Sequence, residues 1–254
     1  MTAERRLRNA WRKLGQSIDA FLQSVDSGTA QSIWPEIEIT ADGDSFNVSL
    51  THPIVLHGWP IRAKTRRSWR LVVAVDAHFS VSEADPAELL GYGTRVSYFA
   101  TKKPREQMFR RLNSFHYDMD INGLCGHPVF HAQPYKGIAP EELHNVRLFE
   151  DFAVAEPETS IPSIQNIRIP TAQLDVLSVC VMLLADHFLQ EDDESADRAF
   201  RAFVLDSAVS QSPLMARQGP RMMDLYQKVQ HGGMDFRGCH WYPYGTTIEG
   251  AKAR

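Results

Sequence analysis

The sequence predicts an α+β fold: an antiparallel, strongly curved sheet of about seven strands, half-barrel in shape, packed by an N-terminal helix and a C-terminal group of three helices. Three observations predict it. Apolar residues recur at spacings of three and four over residues 3–25. Between residues 33 and 135 the period falls to two, punctuated by turn-forming residues. Beyond residue 170 the helical period returns. These periods match the geometry of one helix face and one sheet face. All 254 residues are read as one domain, with an N-terminal helix (1–26), a β-rich part (33–135), a helical part (170–230) and an aromatic, glycine-rich tail (231–254).

The first helix carries Leu7, Trp11, Leu14, Ile18, Phe21, Leu22 and Val25 on one stripe. Arg5, Arg6, Arg8, Arg12 and Lys13 decorate its first half, and Asp26-Ser-Gly ends it. Residues 36–39 and 46–50 alternate apolar and polar around Asp42-Gly43, which reads as a hairpin. A short strand over 54–57 ends at Gly58-Trp-Pro60. The clearest strand spans 68–80, with Trp69, Leu71, Val73, Val75, Ala77 and Phe79 on one face and Asp76 and His78 on the other. Residues 86–90 form at most one helical turn, and 93–100 another strand. Strands over 111–120 and 127–135 then flank Asn122-Gly123. Sequential antiparallel connections are the economical arrangement.

Residues 137–170 read mainly as loop, with a short helix over 141–149. A helix from 170 to 190 follows, with Thr171 as its cap and Leu174, Leu177, Val181, Leu184 and Phe188 as its stripe. Val176, Cys180 and Leu183 widen that stripe, as expected of a buried helix. Further helices are expected over 195–208 and 213–230.

Composition bounds the function. Apolar content of 43% and charged content of 23% are ordinary for a globular protein. The net charge of −4 gives no global drive toward nucleic acid, although residues 1–120 balance at +2 and the remainder at −6. Cys125, Cys180 and Cys239 are odd in number and far apart, so a reducing cytoplasm is expected rather than a disulfide framework. No apolar leader is visible at the N-terminus, and no run approaches the roughly 18 apolar residues of a membrane span. No GxGxxG, GxxxxGK[ST], GxSxG, HExxH or paired CxxC is present.

One stretch concentrates chemistry. Between residues 116 and 131 lie three of the ten histidines and two carboxylates: His116, Asp118, Asp120, His127 and His131. On a strand, His116, Asp118 and Asp120 share a face. A turn centred on Gly123 and Leu124 opposes Asp120 to His127 and His116 to His131, and gathers all five on one face. Imidazole with carboxylate suits a divalent metal such as Zn²⁺ or Mn²⁺, and a carboxylate-held imidazole suits a general base. His116, Asp118 and His131 are therefore the candidate catalytic residues and all five the candidate metal ligands. A polar sheet face whose histidines and aspartates bond one another has the same sequence. The face carrying Asp76 and His78 reads first as ordinary surface; if it met His116, a second, larger constellation would form. Cys125 beside His127 is the one thiol with a base close in sequence, and Cys239 and His240 in the tail are further candidate contributors.

Arg62, Lys64, Arg66, Arg67 and Arg70 form a basic run flanked or joined by Trp59 and Trp69. Basic and aromatic groups interleaved suit nucleic acid or a phosphorylated ligand. Arg66, Arg67, Arg70, Arg110 and Arg111 are the candidate phosphate-binding residues. Two functional classes are expected from this. One is a metal-assisted hydrolase, acting on phosphoester or phosphodiester bonds. The other is a non-catalytic cytoplasmic module that binds a partner protein or nucleic acid through its basic N-terminal half.

Overall fold

A computed structural model describes residues 2–25, 31–60, 69–84, 89–102, 108–119, 130–134, 137–151, 153–154, 169–170, 175–188 and 194–210. The expected mixture of helix and antiparallel sheet is present. Helix α1 spans Ala3–Val25, as its apolar spacing predicts. Strands follow in chain order: β1 (Gln31–Ile33), β2 (Ile37–Asp42), β3 (Ser45–Leu50), β4 (Ile54–Pro60), β5 (Trp69–Ser82), β6 (Leu89–Lys102), β7 (Met108–Met119), β8 (Phe130–Pro134), β9 (Ala153–Val154) and β10 (Ile169–Pro170). Helices α2 (Val176–Phe188) and α3 (Glu194–Ser210) come last. Two 3-10 turns, Pro140–Asn145 and Arg147–Phe149, stand where a short helix was expected.

The sheet runs in the order β1-β4-β5-β6-β7-β8-β10. β5 is long enough to pair with β3 at one end and β4 at the other, so both occupy the same edge of it. The β2–β3 hairpin turns where Asp42-Gly43 predicts, with Gly43 at φ 59°. Gly58 sits at φ 102° where the β4–β5 register shifts, a conformation that disfavours other residues.

Several expectations are corrected. The sheet is neither closed nor strongly curled. A curled sheet would enclose one face by itself, whereas here separate apolar clusters cover the two faces. On one face α1, α2 and α3 bury Leu7, Leu14, Ile18, Leu183 and Phe203 against Val73, Val75, Val96 and Tyr117. On the other, the 3-10 segment brings Ile138, Leu143, Val146 and Phe149 onto Val55, Val72, Phe99 and Phe109. Leu89 and Leu90 belong to strand β6, with Leu89 paired to Val81 of β5, and residues 86–88 of the expected turn lie outside the described residues. The stretch expected as loop contributes β9, parallel to β7, and β10, antiparallel to β8. Helix α2 starts at Val176 and is capped by Asp175, not Thr171. Asp175 Oδ1 accepts from the backbone N–H of Leu177 and Ser178, both at 3.0 Å. The expected third C-terminal helix (213–230) and the tail lie outside the described residues. Among the described residues no helix is long and apolar enough to cross a membrane.

Candidate functional site

The face under the 3-10 segment changes character along its length. Side chains alternate on a strand, so directly paired residues share a face. At one end the face is apolar: Val72 pairs with Phe99. Next comes Ala74 beside Ser97 and Ser114. The backbone of Gly137–Ile138 lies over this row, and Ser97 Oγ donates to the Ile138 carbonyl at 3.0 Å. A Cβ on Gly137 would meet Ser97 Oγ, Ser114 Cβ and the Val96 carbonyl (2.8 Å), so glycine permits the close approach.

Beyond this crossing the same face turns polar in two rows. The first reads Asp76, Arg95, His116 and Gln133 across β5, β6, β7 and β8. The second reads His78, Gly93, Asp118 and His131. The sheet therefore joins the Asp76/His78 pair of β5 to the histidine-rich hairpin, the larger constellation considered from the sequence.

Register decides who meets whom. The β7–β8 pairing places Asp118 opposite His131 and His116 opposite Gln133. The expected opposition of His116 to His131 is thus corrected by two residues. A shift of two leaves His116, Asp118 and His131 on one face. His131 is 1% exposed, and its Nε2 lies 2.7 Å from Asp118 Oδ1, an ion-pair distance without the alignment of a hydrogen bond. His116 Nδ1 lies 3.8 Å from Asp118 Oδ2. Asp118 is thereby placed between a buried imidazole and a partly exposed one. Gln133, also buried, holds its amide nitrogen 3.5 Å from His131 Nε2, a weaker approach than that of Asp118. Asp120 and His127 lie outside the described residues. Among the described residues, no group of three or more His, Cys, Asp or Glu side chains is arranged to hold a metal ion.

Arg95 is the residue that sequence reasoning missed. Its Nη2 donates to Asp76 Oδ2 and to Glu142 Oε2, each at 2.7 Å. Its Nε and Nη1 add bonds to Asp76 and Glu142 at 3.1 and 3.2 Å. Burial works against the guanidinium charge, but these hydrogen bonds and the two carboxylates raise its pKa above the ordinary arginine value. Glu142 also accepts from the Ala139 N–H at 2.8 Å, so Arg95 ties the first 3-10 turn to the sheet. A lone basic residue at an inward position of the apolar run GTRVSYFA was the available signal.

Among the described residues, none of the phosphate-binding candidates lies in the two polar rows. Arg66 and Arg67 lie outside the described residues. Arg70 pairs with Thr101, at the apolar end of the face. The β6–β7 register shifts between Tyr98 and Phe99, which oppose Asn113 and Arg111. Leu112 is the extra residue, and the bulge reverses the alternation. Arg111 consequently joins the face of His116, on the far side of the Gly137–Ile138 crossing, and Arg110 takes the opposite face. Of the other sequence candidates, Cys180 is fully buried, and burial followed by the Asp175 charge pushes its thiol up to about 12. It is a core residue without nucleophilic character. Cys125, Cys239 and His240 lie outside the described residues. No family model, curated protein or solved structure matches the chain.

Proposed function

We propose that the protein is a metal-assisted hydrolase of phosphoester or phosphodiester bonds, working at the His116–Asp118–His131 cluster. The observation that supports this reading is the position of Asp118, whose two carboxylate oxygens face a buried and a partly exposed imidazole. The buried His131 ring lies against one carboxylate oxygen at 2.7 Å. The carboxylate then orients His116 as a general base for water. Histidine between a fixed carboxylate and a reactant is a recurrent arrangement for proton abstraction.

Charge supports the metal. Asp76, Glu142 and Asp118 outweigh Arg95, so the described polar face is formally −2 with neutral histidines. A phosphoester anion approaching such a face needs a compensating cation, and a divalent ion supplies it while polarising the phosphoryl oxygen. His116, Asp118, Asp120, His127 and His131 are the candidate ligands and base, of which Asp120 and His127 lie outside the described residues.

The test is hydrolysis of bis(p-nitrophenyl) phosphate with Mn²⁺ or Zn²⁺, alongside metal content of tag-free protein. His116→Ala and Asp118→Asn should each lower kcat by about 10²-fold or more, the usual share of a positioned base. His116→Ala should leave the melting temperature close to wild type, because the ring is partly exposed. Wild-type protein that neither binds metal nor cleaves the ester under these conditions would remove this reading.

A further inference from the structure

Helix α1 presents a charged surface that the reading above does not use. At about 100° of turn per residue, Arg12, Arg5, Lys13 and Arg6 fall on one arc of about 120°. All four side chains are exposed, and none is in an ion pair among the described residues. The rest of the arc, which includes Asn9, Gln16, Ala20 and Gln23, carries no charge. The two carboxylates of the helix lie outside the arc and have partners. Glu4 is held by Arg8, whose Nη2 lies 2.9 Å from its Oε1 and whose Nη1 donates to the Ile37 carbonyl at 2.7 Å. Asp19 accepts from Ser32 Oγ. The acids are thus tied down at the edge of the sheet, while four cations face solvent together.

We propose that this arc of α1 binds the phosphate backbone of a nucleic-acid duplex. α1 packs on the sheet face opposite His116, so the inference does not depend on the hydrolase reading. Charge density favours this partner. Arg5 to Lys13 spans about 12 Å of helix axis, which is one cation per about 3 Å. One strand of a duplex carries a phosphate charge every ~3.4 Å. A rigid helix therefore meets a rigid polyanion of matching spacing. Gln16 and Gln23 add exposed amides to the arc, and amide side chains also bond phosphate oxygens.

Other anionic partners fit this surface less well. A helix that lies on a membrane buries its apolar side in the bilayer. That side of α1 is occupied by the core: Leu7, Leu14, Ile18 and Leu22 are buried, and Phe21 packs on Phe200 and Phe203 of α3. Single strands are held by bases stacked on aromatic side chains as well as by charge. The arc carries no aromatic side chain, and Trp11, at its back, is buried and donates to the Pro35 carbonyl. Cations and amides without an aromatic platform suit the sequence-independent contacts that a duplex backbone makes.

The experiment is fluorescence anisotropy of a labelled DNA duplex titrated with the full chain, with EDTA present to keep metal-dependent cleavage out of the reading. Four phosphate contacts predict an affinity that falls by about 10²-fold between about 50 and 200 mM KCl. Arg5→Gln/Arg6→Gln/Arg12→Gln/Lys13→Gln should weaken binding at the lower salt by about 10-fold or more and flatten the salt dependence. Its melting temperature should stay close to wild type, because glutamine is a good helix former. Arg5→Gln/Arg6→Gln and Arg12→Gln/Lys13→Gln should each remove about half of the salt slope, and they carry the test if the fourfold variant does not fold. Arg66→Gln/Arg67→Gln, an equal change of charge in the other basic run, should weaken binding less than either half does. A larger loss in that variant overturns the assignment to α1. So does a wild type that fails to bind the duplex at about 100 µM protein in the lower salt. Tighter binding to a single strand of the same length overturns the duplex, as does retention on phosphatidylserine vesicles without binding to DNA. Polyglutamate that displaces the probe as well as unlabelled duplex does, at equal charge, overturns the phosphate backbone in favour of an acidic protein.

Discussion

Individual residues on the polar face separate into those that hold the face together and those free to act. Two glycines show the difference. At Gly137 an added methyl meets the Val96 carbonyl at 2.8 Å as well as Ser97 and Ser114, atoms that cannot move without the sheet. Gly137→Ala should therefore destabilise the protein by about 2 kcal/mol or more, read as a lower midpoint in urea. At Gly93 the obstacle is an exposed His78 ring, which can rotate away. Gly93→Ala should shift the same midpoint by less than Gly137→Ala does, because only a side chain has to move. Equal effects at the two positions would mean that the His78 ring is held as firmly as the backbone over Gly137. His131 is the opposite case: at 1% exposure against Asp118, its replacement by Ala should cost stability as well as activity, because it strands a carboxylate.

Among the elements, α1 and α2 form for different reasons. α1 is amphipathic, and its stripe is buried from Leu7 to Leu22 while Arg5, Arg6, Arg12 and Lys13 stay exposed. Trp11 Nε1 donates to the Pro35 carbonyl at 2.7 Å, which fixes the helix to the start of the sheet. α2 is apolar around much of its girth and depends on Asp175 for its start. Asp175→Ala should lower stability by about 1 kcal/mol, typical for a lost N-cap, and Asp175→Asn should recover most of it. Thermal unfolding of the two variants checks this. The bulge at Leu112 is the element-scale event with most consequence, because it decides which arginine shares the face of His116.

Across the whole molecule, the sheet is a plate with two separate covers. Among the described residues, the helices pack on one face and the 137–151 segment on part of the other. Arg95 fastens that second cover through Glu142, so Glu142→Gln should raise amide exchange over residues 138–149 while leaving α1 protection unchanged. Acid should weaken both covers. Burial lowers the pKa of His57, packed on Phe149, and of His187, packed on Tyr98. Their neutral forms are the ones the fold accommodates. This contribution is complete above the ordinary value of 6.5 and is lost as pH falls from there through the lower folded-state pKa. The melting temperature should drop between pH 7 and pH 5, less steeply in His57→Gln. At the other extreme, burial raises Tyr98 to about 12 from 10.0, so stability should decline as pH rises through that interval.

Hydrophobic period determined the elements. The stripe of α1, the hairpin at Asp42-Gly43, the long β5 and the buried α2 follow from spacing and turn chemistry, which act locally. Alternation on β7 also put His116 and Asp118 on one face. What lay beyond the sequence was the register between strands that no tight turn joins. Whether β5 brought Asp76 and His78 to His116, whether Asp118 or His116 met His131, and whether Arg110 or Arg111 joined them depended on register and on one bulged residue. Sheet curvature and the anchoring of the 3-10 segment by Arg95 were equally non-local. Pairing energies between distant strands set these, and no local pattern carries them, because a strand's own alternation is the same in any register.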